Sequence, residues 1–238
     1  MFNQKYNEWK DWSEESFGKL NTELSLYYDA EFKRMFYFLQ NPIDQLKVLE
    51  IGFGNGTLLK YFCNLGHLIY GTEVNDMLLN TAKKFDYNVG TPDSLLLMDD
   101  EYFDVIVAMD VLEHLTKEEI LQSFSLNRRI LRQGGLFIFR VPNVDSFSGL
   151  PLQFGDFTHI TAIGSGLIKQ LANSYGFDIL ELRGHSHIIP FRPLSLFFYR
   201  LLIIPVKFCV NILLNFIFSP RVKINYTSQS LVAVLKKK

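Results

Sequence analysis

Gly52, Gly54 and Gly56 occupy alternate positions between a short branched apolar run and the helically spaced Thr57-Leu58-Leu59-Lys60-Tyr61-Phe62. Such a turn must reach backbone angles closed to other residues, and a ligand lying over it meets main chain with no Cβ in the way. A nucleotide-like cofactor is the expected occupant. Seventeen residues past Gly56 stands Glu73, a carboxylate able to accept from both hydroxyls of a ribose. A second group of residues could move a proton. His159, in Gly155-Asp156-Phe157-Thr158-His159, could take one from a hydroxyl near neutral pH, or could be a structural histidine of a loop. Asp110, Glu113 and His114 are separated by three and four positions. If helical, they share one face that could line an acceptor pocket or hold Mg²⁺. Pocket lining is the preferred reading, and no metal ligands are assigned. His67, His185 and His187 read as turn or surface residues.

The elements that must position these groups alternate. Lys47–Ile51 reads as a buried strand, the glycine turn opens a helix, and His67–Thr72 is a second strand ending at Glu73. A helix over Asn75–Phe85 and a short strand near Tyr87–Gly90 follow. Phe103–Met109 is a fourth strand, Lys117–Arg132 a helix capped by Gly134-Gly135, and Leu136–Val141 a fifth strand. This spacing predicts an α/β fold, a parallel sheet with helices on both faces and ligands at the strands' carboxyl ends. Ahead of it, Asp29–Leu39 reads as an amphipathic helix, and Trp9, Trp12, Tyr27 and Tyr28 suggest either simple packing or a lid.

As an ordered set, Glu50, the three glycines, Glu73, the Phe103-Asp104 strand leading to Asp110–Leu115, and Leu131-Arg132-Gln133-Gly134-Gly135 resemble class I S-adenosylmethionine-dependent methyltransferases. The dinucleotide spacing Gly-x-Gly-x-x-Gly is absent, which sets a nicotinamide-dependent oxidoreductase behind this reading. The resemblance implies a Rossmann-like seven-stranded sheet whose last strand is antiparallel, with Asp178–Leu182 and Ser230–Leu235 as strands six and seven. It implies S-adenosylmethionine as cofactor: Gly52, Phe53, Gly54 and Gly56 approach its methionine part, Glu50 supports that end, and Glu73 holds the ribose. Val74, Pro92, Asp93 and Ser94 then lie near the adenine, with Asp110 at the tip of strand four. His159 falls where such enzymes bind substrate, which makes it, with His114 and Asp110, the catalytic candidate. The cofactor has no phosphate, and a turn without Lys or Arg suits it.

The chain has 238 residues and a net charge of −1, unevenly spread. After Glu181 there is no acidic residue, while nine cations lie between Arg183 and Lys238. Cys63 and Cys209 do not make a disulfide or zinc framework, in keeping with a reducing cytosol. Lys5, Glu8, Lys10 and Asp11 break any apolar run at the start, against a secretory signal. Between strands six and seven, Ile188–Pro220 is longer and more apolar than a hairpin needs. Pro205 interrupts it, and Arg200, Lys207, Asn211 and Asn215 form a narrow polar stripe. Strand seven must also return to the sheet. A monotopic helix pair in the membrane interface is therefore expected, flanked by Arg192, Arg221 and Lys223, with a dimer interface or an extra core layer as alternatives.

Four regions follow: an N-terminal helical cap or lid (1–44), the S-adenosylmethionine-binding domain (45–187), the membrane-association insertion (188–224) and the final strand (225–238). The apolar tail and the Asp156–His159 segment resemble methyltransferases of bacterial surface polysaccharide assembly. That implies O-methylation of a sugar on a lipid-linked or membrane-associated glycan, on the cytoplasmic face of the inner membrane, as a homodimer or beside a glycosyltransferase. A quinone-ring methyltransferase and a catalytically silent scaffold are the rivals. No clustered basic face suggests nucleic-acid binding.

Overall fold

The structure, a computed structural model, describes residues 9–10, 12–39, 45–186, 194–219 and 223–238. Seven strands form one sheet: β1 (Lys47–Ile51), β2 (Leu68–Thr72), β3 (Val89–Gly90), β4 (Phe103–Met109), β5 (Leu131–Pro142), β6 (Phe177–Gly184) and β7 (Ser230–Lys237). Their order is β3-β2-β1-β4-β5-β7-β6. The pairings from β3 to β5 are parallel, and β7 runs antiparallel between β5 and β6. The helices are α1 (Thr22–Phe36), α2 (Thr57–Asn64), α3 (Asp76–Lys84), α4 (Lys117–Ile130), α5 (Leu150–Gly155), α6 (Ser165–Ser174) and α7 (Leu194–Phe218).

The central strands are continuously apolar because helices cover both faces of the sheet. On β4, Val105 and Val107 share a cluster with Tyr28 and Phe32 of α1 and Leu58 and Phe62 of α2. The alternating Ile106 and Ala108 pack instead with Phe124 of α4 and Ile168 of α6. Each such buried Leu, Ile or Phe contributes about 1.5–3 kcal/mol relative to exposure. The winding direction reverses between β1 and β4, which opens a crevice at their carboxyl ends. The glycine turn leaves β1 there, and Asp110–His114 leave β4 beside it.

Three expectations are corrected. Gly134-Gly135 does not cap a helix: α4 ends at Ile130, and Leu131 already pairs with Phe103 before the register slips to Val105 opposite Leu136. Gly134 has φ +70°, and a Cβ on Gly135 would lie 2.9 Å from the carbonyl oxygen of Asp104. The two glycines therefore absorb a bulge inside β5. The first described long helix starts at Thr22, seven residues before the expected Asp29.

The expected helix pair in the tail is one continuous helix that runs through Pro205. A single missing N–H bends rather than ends a helix with Leu, Ile and Phe on both sides. Its polar stripe points inward. The Asn215 amide donates to the Ile224 carbonyl at 2.7 Å and accepts from the Ile224 N–H at 2.8 Å. The Asn211 amide oxygen accepts from the Tyr226 N–H at 2.8 Å. Phe197–Phe218 is long and apolar enough to cross a membrane, and it is not buried in the protein. The expected contributions of Arg192, Arg221 and His187 lie outside the described residues.

Candidate active site

The three glycines of the turn all have left-handed angles, with φ of +69°, +51° and +68° at Gly52, Gly54 and Gly56. A Cβ on Gly52 would stand 2.7 Å from Val111, and one on Gly56 would stand 2.4 Å from the Phe17 ring. Side chains are excluded there by both angle and space. The carboxylate of Glu73 bends toward the turn: one oxygen accepts from the Gly54 N–H at 2.9 Å, the other from the N–H groups of Val74 and Asn75 at 2.8 and 3.1 Å. Glu50 is buried beneath, with one carboxyl oxygen lacking a hydrogen-bond partner among the described residues. Burial, then the neighbouring charge of Glu73, push its carboxyl well above the usual range. When protonated, Glu50 can donate as well as accept.

The remaining cofactor candidates are divided. The Phe53 ring packs inward with Phe17, Leu59 and Leu78, which leaves its main chain as the part facing the turn. Val74 is 79% exposed just past β2. Asp93 is exposed on the short turn after β3. The Ser94 hydroxyl is shared between the Tyr70 hydroxyl at 2.9 Å and the Thr91 carbonyl at 2.6 Å. All three sit on the rim formed by the neighbouring ends of β2 and β3.

Beyond β4 the chain makes only a single tight turn, Leu112–His114. The helical face expected to gather Asp110 with Glu113 and His114 does not form. Asp110 adopts φ +57°, a region that Asp tolerates better than most residues, and its carboxylate forms an ion pair with Arg140 on β5. Arg140 also donates to the Tyr27 hydroxyl at 2.7 Å. Asp110 thus holds the β4 tip to β5 and α1.

His159 takes the place that Asp110 leaves. The N–H groups of Ile160 and Thr161 donate to the Glu113 carbonyl at 2.8 and 3.0 Å, lacing the loop after α5 onto the β4 tip. The His114 and His159 rings meet edge to face with centroids 4.7 Å apart. Each ring is oriented through Nδ1, His114 against the Thr158 carbonyl at 3.2 Å and His159 against the Gln153 carbonyl at 3.1 Å. Nε2 of His159 lies 4.0 Å from the Glu113 carboxyl and 3.8 Å from that of Asp156. Glu113 is buried, and neither of its carboxyl oxygens has a hydrogen-bond partner among the described residues. Burial and the charge of Asp110 push it up to about 8. Burial and the His159 ring hold His114 below its usual value. Burial works against the charge of Asp156, but hydrogen bonds from Thr158 and Lys10 bring it down to about 2. Donor atoms of Glu113, His114 and His159 fall within 4.8 Å of one another, close enough for one divalent ion.

The N-terminal segment, expected as simple packing or a lid, lies against the glycine turn and the His159 loop. Trp12 reaches 3.1 Å from the point where a Cβ on Gly54 would stand, and the Gly18 N–H donates to the Asn55 carbonyl at 2.7 Å. Lys10 pairs with Asp156 at 3.3 Å. One strand of chain therefore joins the glycine turn to the His159 loop. The sequence reading missed Arg140, although an arginine inside the apolar run of β5 is a visible signal.

Residues 49–139 match the family model described as a methyltransferase domain. Superposed on a SAM-dependent methyltransferase from Archaeoglobus fulgidus, the chain aligns over 100% of both molecules with a TM-score of 0.66 at 17% identity. The fold is that of S-adenosylmethionine-dependent methyltransferases. Among sequence relatives, a ubiquinone biosynthesis O-methyltransferase of Pelagibacter ubique is 29% identical over 110 residues, 43% of this chain and 44% of that protein. An uncharacterized methyltransferase of Anoxybacillus flavithermus is 32% identical over 95 residues, 39% of this chain and 45% of the other. The chain thus spans about half the length of the curated relatives it matches. The methyltransferase domain implies S-adenosylmethionine as cofactor, and the site fits it: a side-chain-free turn, a carboxylate at the β2 tip, and a buried acid below whose carboxyl is held above its usual range.

Proposed function

We propose that the protein transfers a methyl group from S-adenosylmethionine to a hydroxyl on the head of a membrane-associated acceptor, a lipid-linked glycan. The approach of Glu113 to His159 beside the glycine turn carries the reaction type. S-adenosylmethionine supplies a methyl group on a sulfonium, open to in-line displacement by an oxygen nucleophile. The main chain of Gly52–Gly56 and the Glu73 carboxylate hold that cofactor, and Glu50 supports the turn from below. His159 would accept the acceptor's hydroxyl proton at Nε2, with Nδ1 fixed on the Gln153 carbonyl. A cation on His159 favours the ionised form of Glu113, whose carboxyl lies 4.0 Å away.

The membrane part of the reading rests on α7. No acidic residue occurs from Leu182 to the end of the chain, and Phe208, Phe216 and Phe218 are exposed around the helix. With its asparagines bound to the chain entering β7, the helix suits an interfacial position better than a crossing. A second reading, O-methylation of a quinone-ring hydroxyl, is favoured by the names of several relatives.

Incubating the full chain with methyl-labelled S-adenosylmethionine and bacterial membrane lipids tests both. Label in an acid-labile, glycan-bearing lipid fraction is the expected result. Label in the quinone fraction would transfer the assignment to the second reading, and label in neither would remove the lipid acceptor.

A further inference from the structure

Two clefts flank the inner side of α7 and meet at His185. The larger, ≈ 450 Å³, is bordered by Tyr27, Ser186 and Arg200, with Glu23 as its acidic residue. The smaller, ≈ 230 Å³, is bordered by Lys207, Asn211, Thr227 and Ser228. Arg200 and Lys207 are two helical turns apart, about 10 Å along the axis, on the same polar stripe. The stripe thus supplies one cation to each cleft, and the shared His185 stands between them.

We infer that these joined clefts bind the terminal phosphate or diphosphate of a lipid head, with the lipid tail along the apolar perimeter of α7. The inference rests on the membrane-acceptor reading and specifies its ligand. An interfacial helix with this perimeter lies at the boundary of headgroups and acyl chains, which sets its polar stripe at phosphate depth. Arginine presents a planar fork of donors that matches phosphate oxygens, and lysine adds a point charge. The Thr227 hydroxyl is a further donor to such oxygens, whereas the Ser228 hydroxyl donates to the Ser230 carbonyl at 2.8 Å. Glu23 repels an anion, which places the phosphate toward His185 and the two cations rather than toward α1.

A run of contacts links the wall of the larger cleft to the cofactor turn. Tyr27, on the wall of the larger one, contacts Arg140, and Arg140 pairs with Asp110 at the β4 tip. Val111, the next residue, closes on Gly52 of the cofactor turn. A quinone-ring acceptor, which has no phosphate, makes no use of these cations.

The test is sedimentation of the full chain with phosphatidylcholine vesicles carrying either phosphatidic acid or charge-matched cholesteryl hemisuccinate. Binding about tenfold tighter to the phosphomonoester is expected, and the double variant Arg200→Gln, Lys207→Gln should lose that preference while keeping its circular dichroism. Equal binding to both anions in the wild type, or an undiminished preference in the double variant, overturns the proposal. Calorimetric titration of inorganic diphosphate without vesicles separates site from source. Saturable binding weakened by Arg200→Gln supports the phosphate site. The same binding in a protein that ignores both kinds of vesicle overturns the lipid as source and removes the membrane part of the proposed function.

Discussion

The carboxyl group of Glu113, which has no hydrogen-bond partner among the described residues, faces Nε2 of His159 across 4.0 Å. A buried acid and an imidazole in this relation act as a pair, so each should report on the other. His159→Ala is expected to lower kcat by 10²–10⁴-fold, the usual contribution of a positioned base, with little change in S-adenosylmethionine affinity. Unchanged turnover would move proton removal elsewhere. Glu113→Gln should abolish an inflection near pH 8 in the rate profile, where Glu113 ionises. Activity that survives EDTA is expected of a protein base. Loss on EDTA treatment with rescue by Mn²⁺ would turn Glu113, His114 and His159 into ligands.

Glu113 also affects stability. Its folded value of about 8 exceeds the ordinary glutamate value of about 4.3. A raised value means that its contribution is fully present below the unfolded pKa and is lost as pH rises through the folded one. The wild type should lose stability between about pH 4.5 and 8, at about 1.4 kcal/mol for each unit by which the group is shifted. Glu113→Gln should flatten that decline in Tm, and an equally steep decline in the variant would remove Glu113 as its source. Glu50, raised in the same direction, acts with the same sign.

At the cofactor turn, Glu73→Ala removes three acceptor contacts to main-chain N–H groups as well as the expected ribose partner. A loss of cofactor affinity greater than about tenfold should appear in calorimetry. Affinity equal to wild type would remove Glu73 from the ribose. Gly56→Ala tests the turn differently, because its Cβ would stand 2.4 Å from Phe17 at a φ of +68°. Destabilisation of about 1–3 kcal/mol is expected from thermal unfolding.

Asn211 and Asn215 tie α7 to the segment entering β7. Replacing both with Ala should cost about 1 kcal/mol for each lost hydrogen bond. Amide exchange across 194–218 should accelerate more than exchange in β5 or β7. Uniform acceleration throughout the sheet would mean that the helix is not a separately opening unit.

Arg140 links Asp110 to Tyr27. Arg140→Met keeps much of the side-chain volume while leaving Asp110 in its left-handed conformation without its cation. The expected effect is a fall in activity and a lower Tm, because the β4 tip that carries Val111 and Glu113 loses its tie to α1. Tyr27→Phe should show the same direction with smaller size, and wild-type behaviour in both would make this link incidental.

The amino-acid sequence alone determined the sheet and the turn. Unbroken branched runs such as Phe103–Met109 can be satisfied only where both faces are covered, and alternate glycines tolerate left-handed angles that other residues resist. Local pattern therefore placed β1, Glu73 and β4 within a few residues of their positions, while the antiparallel last strand followed from the family resemblance. Tertiary structure decided the partners. Glu113 and His159 lie 46 residues apart, and they meet because two main-chain bonds from Ile160 and Thr161 reach the Glu113 carbonyl. No periodicity encodes such a meeting. The same holds for Asp110, whose spacing suggested a shared helical face until Arg140, on the adjacent strand, supplied the charge that claims it. The inward direction of the polar stripe on α7 was likewise undecidable from spacing, since Asn211 and Asn215 find their partners in a segment that only the return of β7 to the sheet brings alongside.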